Sequence, residues 1–350
     1  MSNFFRIACL LVAGLALAFS EAGLAHMSPE PLTLRDLVSP GDPLAQQDLT
    51  FDTTFAQLAI QYFDSNNAAV LKQLAQSPAA QHLLDHARNF DYDMPKDSTQ
   101  SLVTHLLQPS PQRAAQAKVC QSSLDYFTTR MLADPRWVND ALHYLPTDFR
   151  FHGALFLTFG YDIGVAFGPS ASLNCGHRHF AEHDSELMYY AIHELHHVGF
   201  MSYQPPPRLS GIKTCRELLH LVEYSTQLEG MAVWAAYARR DREHALGDDD
   251  DYVALQDEAR MLRDEALYFK DLHYLEERGD APADADAWTV IERMSSGERL
   301  WYRVGARMAQ TIEQVAGRPA LVGLIKTGPA SFLEKYRLVA QSQPAATRNQ

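Results

Sequence analysis

The sequence has no excess of positive charge. Its 350 residues include 30 Lys and Arg against 43 Asp and Glu, which gives a formal net charge of −13. Binding to nucleic acid or to an anionic membrane depends on clustered basic side chains that neutralise phosphate groups. The composition therefore argues against a general binder of either kind. A small or peptide-like ligand fits this charge better.

Long apolar runs are also scarce. The longest, residues 7–19, covers about thirteen residues, fewer than the roughly 20 that a helix needs to span a bilayer. It follows Arg6 and precedes the small residues 23–25, a pattern typical of a cleaved secretory signal. We therefore expect residues 1–25 to be removed and the protein to be secreted or periplasmic, without stable insertion in a membrane.

Cysteines are few and never occur as CxxC, which makes a cysteine-ligated structural zinc improbable. Three remain after the predicted signal: Cys120, Cys175 and Cys215. An oxidising compartment permits one disulfide among them, and all three pairings are possible. The pair Cys175–Cys215 is favoured, because these residues lie on either side of the segment 190–199 discussed below.

Apolar residues make up 46% of the chain, enough for a globular protein with a large core, and no fixed-period repeat suggests a solenoid or a propeller. We expect one compact unit with two lobes. The predicted order is an irregular leader at 26–48, a helical N-terminal lobe at 49–146, a second lobe at 147–340 and a flexible tail at 341–350.

The spacing of apolar residues predicts a mainly helical α+β fold. Short runs rich in aromatic and branched residues indicate strands at 151–159, 163–167 and 170–174, which we expect to form a small antiparallel sheet. Three- and four-residue spacing indicates helices at 53–63, 68–74, 79–90, 112–132, 185–198, 214–240, 251–277, 287–295, 300–315 and 320–326.

The most informative segment, 190–199, contains the pattern HExxH. On a helix, His193 and His197 lie one turn apart on the same face and can bind one metal ion. Glu194 lies about 100° further around the helix axis, where it can act on a metal-bound water without being a ligand. His196 points elsewhere and receives no role. Gly199 is expected to end the helix.

A hydrolytic zinc usually has three protein ligands and one open position, so a third ligand is needed. Glu229 is the preferred candidate, because it lies in an otherwise apolar stretch where an unpaired carboxylate would be costly to bury. Gly230 would allow two helices to approach closely around the ion. We interpret Glu223 as a carboxylate on the helix surface or one that contacts a ligand without binding the metal. His220 is a weaker candidate for the third ligand.

The HExxH pattern, followed by the stretch 228–234 with its Glu-Gly-x-Ala sequence on the next long helix, resembles the gluzincin branch of the zincin metallopeptidases. Within that branch the chain is most similar to a family of predicted bacterial zinc-dependent proteases, over about 150–340. The resemblance implies a zincin-like catalytic lobe, one Zn²⁺ held by His193, His197 and Glu229, and Glu194 as the base. Some gluzincins have an Asp four residues after the ligand Glu, where this chain has Val233. Another group, such as Asp184, Glu186 or a backbone carbonyl, must then orient a ligand.

Charge develops on the carbonyl oxygen during hydrolysis and needs a hydrogen-bond donor. Tyr302 is the candidate, because a helix with the small Gly305 could bring it to the site; Tyr190 and Tyr224 stay open. The clusters at 175–179 and 248–251 lack the ligand spacing of metal sites. We interpret the first as a loop near the cleft and the second as a solvated helix start.

These observations predict an exported zinc peptidase that acts on a peptide or small amide. Two alternatives remain: a zinc-stabilised binding protein with little turnover, and a zinc hydrolase of a non-peptide amide or ester. No partner protein and no oligomeric state follow from the sequence.

Overall fold

The computed structural model describes residues 30–209 and 211–342. The predicted signal at 1–25 and most of the predicted tail lie outside the described residues. Helices dominate the described part of the chain. The α-helices are α1 Leu34–Leu37, α2 Thr54–Ser65, α3 Ala68–Ala75, α4 Pro78–Asn89, α5 Thr99–Leu106, α6 Pro111–Tyr126, α7 Val138–Leu142, α8 His179–Glu182, α9 Glu186–Met201, α10 Cys215–Arg242, α11 Asp250–Gln256, α12 Glu258–Arg278, α13 Ala285–Ser295, α14 Leu300–Ala316, α15 Arg318–Thr327 and α16 Pro329–Ser342.

A five-stranded sheet lies among the helices. Its strands, in chain order, are β1 Leu32–Thr33, β2 Thr50–Asp52, β3 Ala154–Thr158, β4 Gly164–Phe167 and β5 Ser170–Asn174. Their order in space is β1-β2-β3-β5-β4. The pairs β2–β3 and β3–β5 are parallel, whereas β1–β2 and β4–β5 are antiparallel.

The expectation of an antiparallel sheet is therefore wrong, because the sheet is mixed. Two short strands add to it, β1 from the predicted leader and β2 from the start of the predicted helical lobe. Strand β4 forms a hairpin with β5 that places β4 at the edge rather than beside β3. The period of two that identifies a strand carries no information about strand direction. Direction depends on the connections, which composition alone does not determine.

The sheet lies between the N-terminal helices and the helices that carry the predicted site residues. Helices α2 and α4 contact the sheet, α9 contacts β4 and β5, α10 packs against α9, and α14 packs against α10. Buried apolar side chains form a cluster that extends from Leu34 to Val339. Among the described residues, no helix combines the length and the apolar character needed to cross a bilayer.

Two predicted helix boundaries need correction. The single helix expected at 251–277 is broken at Asp257, whose side chain accepts a hydrogen bond from the backbone N–H of Arg260 and caps α12. A short carboxylate can compete with the helical backbone in this way. Gly199 does not end α9, which continues to Met201; a Cβ at Gly199 would lie 2.3 Å from Leu145 Cδ1, so this glycine serves close packing instead.

The disulfide joins Cys120 on α6 to Cys175 at the end of β5. The favoured pairing of Cys175 with Cys215 is therefore wrong. The thiol of Cys215 is free and buried at the start of α10, where it donates a hydrogen bond to the Pro282 carbonyl. Folding brings α6 against the loop that follows β5, a contact that position along the chain does not reveal.

Candidate metal centre

The two histidines of the HExxH pattern lie side by side on α9. The ring centroids of His193 and His197 are 4.4 Å apart. Their side chains are 14% and 8% exposed, so both lie at the base of a cleft rather than on the outer surface. The apolar side chains of α9 are buried against the sheet and against neighbouring helices. This burial fixes the rotation of α9 and directs both rings to the same side.

The carboxylate of Glu229 meets both rings from α10. The helix begins with a capping box, in which Thr214 and Glu217 satisfy each other's backbone N–H groups. Glu229 lies near its middle, with Oε2 3.1 Å from Nε2 of His193 and 3.1 Å from Nε2 of His197. One ligand atom from each residue therefore lies within 4.8 Å of the other two.

This spacing fits a zinc ion. With bonds of about 2.0–2.2 Å, the ligand atoms of a tetrahedral zinc are about 3.3–3.6 Å apart, close to the 3.1 Å that separates Glu229 from each histidine. Burial lowers the pKa of His193 to about 4, which keeps its imidazole neutral as ligation requires. Burial would raise the pKa of Glu229, but the two imidazoles outweigh it and hold that pKa below its usual range.

The Glu229 carboxylate also affects the pKa of His197. Burial lowers the pKa of His197, yet Glu229 outweighs it and the net shift is upward. The Nδ1 atom of His197 is buried and has no hydrogen-bond partner in the described part of the chain. Two imidazoles and one carboxylate therefore share a buried space in which a cation would compensate the charge of Glu229.

Glu194 lies beside the three candidate ligands without joining them. Its side chain is buried, and Oε2 has no hydrogen-bond partner among the described residues. Burial raises the pKa of Glu194 to about 8, with a further contribution from the Glu229 carboxylate. The edge strand β4 packs directly on it, since a Cβ at Gly164 would lie 2.5 Å from Glu194 Oε1. No local sequence pattern marks Gly164, because the contact joins residues 30 positions apart.

Tyr302 lines the same cleft from α14. Burial raises its pKa above the usual range, helped by the Glu229 carboxylate, so the phenol keeps its proton and can donate a hydrogen bond. The guanidinium of Arg299 lies 3.8 Å from the centre of the Tyr302 ring. The other two tyrosines are engaged elsewhere: Tyr224 donates to the Gln204 carbonyl at 3.0 Å, and the Tyr190 hydroxyl is 3.4 Å from Asp249.

Close packing of two glycines brings α14 to the site. A Cβ at Gly230 would lie 2.2 Å from the carbonyl carbon of Gly305, so neither residue can carry a side chain without moving the backbone. Gly230 therefore allows α10 to approach α14. We expected Gly230 to allow the two ligand-bearing helices to approach each other around the ion. That expectation needs correction, because Glu229 faces the histidines of α9, whereas Gly230 faces α14.

The remaining candidates lie apart from the three ligand atoms. His220 is exposed and lies 3.4 Å from Glu223, so these two residues pair with each other. His196 is buried and faces away, with Nε2 3.3 Å from the Tyr144 carbonyl oxygen.

The cleft above the candidate ligands has a volume of about 970 Å³. Its lining comes from β4, from the end of α4 and the residues that follow it, and from α9, α10, α13 and α14. The N-terminal part of the chain thus contributes to the site, which the sequence analysis did not predict because no local pattern marks it. Wall residues include His86, Phe90, Tyr92, Ile163, Leu228, Trp288, Ile291 and Tyr302.

Residues 71–345 match the family described as "Putative zinc dependent peptidase (DUF5700)". The chain belongs to this family. The matched region contains His193, Glu194, His197 and Glu229. The match therefore includes every residue of the candidate centre. No curated protein matches the chain, and no solved structure matches it either.

A second group of titratable side chains lies at the cleft, where His179 and Asp249 line it and Glu186 is fully buried. His179, Glu186 and Asp249 also place one ligand atom each within 4.8 Å of one another. His179 belongs to the segment 175–179, which the sequence analysis interpreted as a loop near the cleft, and the structure places residues of that segment in the cleft wall.

The acidic run 248–251 begins α11, as expected, and Asp249 caps that helix by accepting from the Asp251 N–H. The description as a solvated start needs correction. Asp251 is only 4% exposed and forms ion pairs with Arg299 and Arg303. Folding brings these arginines from the start of α14 and the residue before it, about 50 positions away, so the run alone could not predict their presence.

Proposed function

We propose that the protein is an exported metallopeptidase of the gluzincin type, with one Zn²⁺ held by His193, His197 and Glu229. The observation that carries the proposal is the convergence of three ligand atoms from α9 and α10 beside an unpaired Glu194 carboxylate. Membership of a family described by zinc-dependent peptidase activity supports the same reaction class.

Zinc in this position would lower the pKa of a coordinated water and polarise the substrate carbonyl. Glu194 accepts the proton of the attacking water and later delivers it to the leaving amine. Its geometry supports this role, because Oε2 is buried beside the ligand atoms and has no hydrogen-bond partner among the described residues. Tyr302 donates a hydrogen bond to the carbonyl oxygen as negative charge develops there.

A peptide substrate is favoured over a small ester because an edge strand lines the cleft. Strand β4 pairs with β5 and with no other strand in the described part of the chain. Its residues Gly164, Val165 and Ala166, and Ile163 just before it, line the same cleft as Glu194. An edge strand offers backbone groups to which an extended peptide can add as a further strand.

Export is supported by two features. The first 25 residues have the pattern of a secretory signal, and the disulfide between Cys120 and Cys175 suits an oxidising compartment.

The variant Glu194→Gln tests the reaction. Removing the base should lower kcat for peptide hydrolysis by about 10²–10⁴-fold, while bound zinc stays at the wild-type level because Glu194 is not a ligand. Glu223→Gln, which changes a partly exposed carboxylate on α10, is the matched control and should retain activity. Equal hydrolysis by wild type and Glu194→Gln would reject the mechanism.

A panel of substrates separates the alternatives. Zinc binding without hydrolysis of any peptide, amide or ester would identify a zinc-stabilised binding protein. Hydrolysis restricted to small amides or esters would identify a hydrolase of another substrate class.

A further inference from the structure

A buried ion pair connects the two helices that carry the candidate ligands. Glu186 lies at the start of α9 and Arg240 near the end of α10, and their side chains are 0% and 2% exposed. Arg240 Nη2 donates to Glu186 Oε2 at 2.6 Å, and Nη1 donates to Oε1. Such a two-point contact fixes geometry more strictly than a single hydrogen bond.

The pair lies on the same helix faces as the candidate metal centre. Glu186 precedes His193 by seven residues and His197 by eleven, which at about 100° per residue places it within about 20° of each. Arg240 follows Glu229 by eleven residues, again about 20° away. The ion pair is therefore a second contact between the two faces that meet at the metal centre.

The two contacts are far enough apart to determine how the helices are arranged. From His193 to Glu186 is about 10 Å along α9, toward its start, at about 1.5 Å per residue. From Glu229 to Arg240 is about 16 Å along α10, toward the end of that helix, so the helices pass in opposite directions. If the helices were held at one point only, α9 could rotate against α10 about that point. Two separate contacts restrict both rotation and sliding of the helices.

Aromatic rings hold the arginine in place. The guanidinium of Arg240 lies 4.4 Å from the centre of the Tyr189 ring and 4.1 Å from that of Tyr252. The Tyr252 hydroxyl donates to the Val233 carbonyl at 3.1 Å, which ties α11 to α10 one turn after Glu229. Stacking of this kind favours an arginine over a lysine.

His179 and Asp249 complete the surroundings of Glu186. His179 Nε2 lies 2.9 Å from Glu186 Oε2 and 3.9 Å from Asp249 Oδ2. These three residues have the spacing of a metal site, but Arg240 already binds both oxygens of Glu186. A second divalent cation would have to share that carboxylate with a guanidinium, so like charges would meet in a buried space.

We infer that Glu186 and Arg240 are positioning residues, which hold Glu229 at ligand distance from His193 and His197 by locking α9 and α10 at a second point. This inference rests on the proposed zinc centre. It also assigns His179 and Asp249 to the ion network around the pair instead of to a second metal site.

The main test replaces both charges at once, with Glu186→Leu and Arg240→Met in one protein. Removing a whole buried ion pair is often tolerated, whereas removing one partner leaves an uncompensated charge. We expect a folded protein whose zinc affinity, measured by chelator competition, is about 10–100-fold weaker, the range found when groups that orient metal ligands are lost. The visible spectrum of the Co²⁺ form should also change, and kcat should fall more than KM rises.

The ion pair between Asp271 and Arg293 provides the matched control. Arg293 also donates two hydrogen bonds to the buried carboxylate of Asp271, at 2.8 and 2.7 Å. This pair joins α12 to α13, and neither helix carries a proposed ligand. Asp271→Leu with Arg293→Met should leave zinc affinity within about two-fold of wild type, as for independent sites.

Arg240→Lys gives a second, milder variant that keeps the charge and loses the two-point contact. It should weaken zinc binding less than the double replacement does, and it carries the test if the double variant does not fold. A folded variant of either kind with wild-type zinc affinity and Co²⁺ spectrum would overturn the inference. Two tightly bound zinc ions per wild-type chain would overturn the assignment of His179 and Asp249. Absence of zinc from the wild type would instead reject the proposed function itself.

Discussion

At the residue scale, the candidate centre depends on side chains that local sequence patterns indicate and on a glycine that no local pattern marks. His193, Glu194 and His197 follow from the geometry of a single helix, and the apolar surroundings of Glu229 mark it as unusual. These four residues could be chosen from the sequence. Gly164 could not, because its importance comes from the approach of β4 to Glu194 in the folded chain.

Replacing Gly164 by Ala should displace Glu194. The added methyl group would lie 2.5 Å from Oε1, and the side chain of Glu194 can move away more easily than the strand. We expect kcat to fall by about 10-fold or more, in line with the loss of a well-placed acid–base group, while zinc content and melting temperature stay near wild type.

Gly247→Ala is the control, since a Cβ there meets no atom within 4 Å and should leave kcat unchanged. Wild-type kcat in Gly164→Ala would show that Glu194 does not need its observed position.

At the element scale, helices were easier to predict than the sheet. The 3.6-residue period of apolar side chains indicates α10 and α14 directly, whereas the direction of β3, β4 and β5 depends on connections that lack a local pattern. The break at Asp257 was missed for a related reason, since apolar spacing continues across it and only the capping side chain interrupts the helix.

The contact between α10 and α14 should tolerate no added atoms. Gly230→Ala would place a Cβ 2.2 Å from backbone of Gly305, and neither helix can absorb that overlap by rotating a side chain. We expect the free energy of unfolding, measured with urea, to fall by about 1–3 kcal/mol or more, together with a loss of zinc affinity as α10 shifts.

Gly323→Ala on α15 is the matched helical control. A Cβ there meets nothing within 4 Å, so the change should stabilise the protein by about 0.5–1 kcal/mol. If Gly230→Ala behaved like Gly323→Ala, the close approach of α10 and α14 would be contradicted.

At the scale of the whole molecule, the disulfide links the N-terminal helices to the cleft. Cys120 and Cys175 are 55 residues apart, and Cys175 lies two residues before His177, which lines the cleft. The sequence indicated that one disulfide could form but not which, because pairing follows from tertiary packing.

Loss of this disulfide should lower stability substantially. A loop of this length corresponds to about 4 kcal/mol in the chain-entropy model, with measured values commonly about 2–5 kcal/mol. Cys120→Ser with Cys175→Ser should therefore reduce the free energy of unfolding by that amount and make it insensitive to reductant. Cys215→Ser should still respond to reductant like wild type; if it did not, Cys215 would have to take part in the disulfide.

The proposed chemistry depends on one zinc ion shared by His193 and His197 of α9 and Glu229 of α10. The most direct measurement is the number of zinc ions per chain, together with their affinity, in wild type, Glu229→Gln and Glu223→Gln. We predict one zinc in wild type and in Glu223→Gln, and an affinity at least about 100-fold weaker in Glu229→Gln, because a direct ligand is lost. Wild-type protein that remains metal-free after exposure to zinc, or Glu229→Gln that binds zinc as tightly as wild type, would contradict the account.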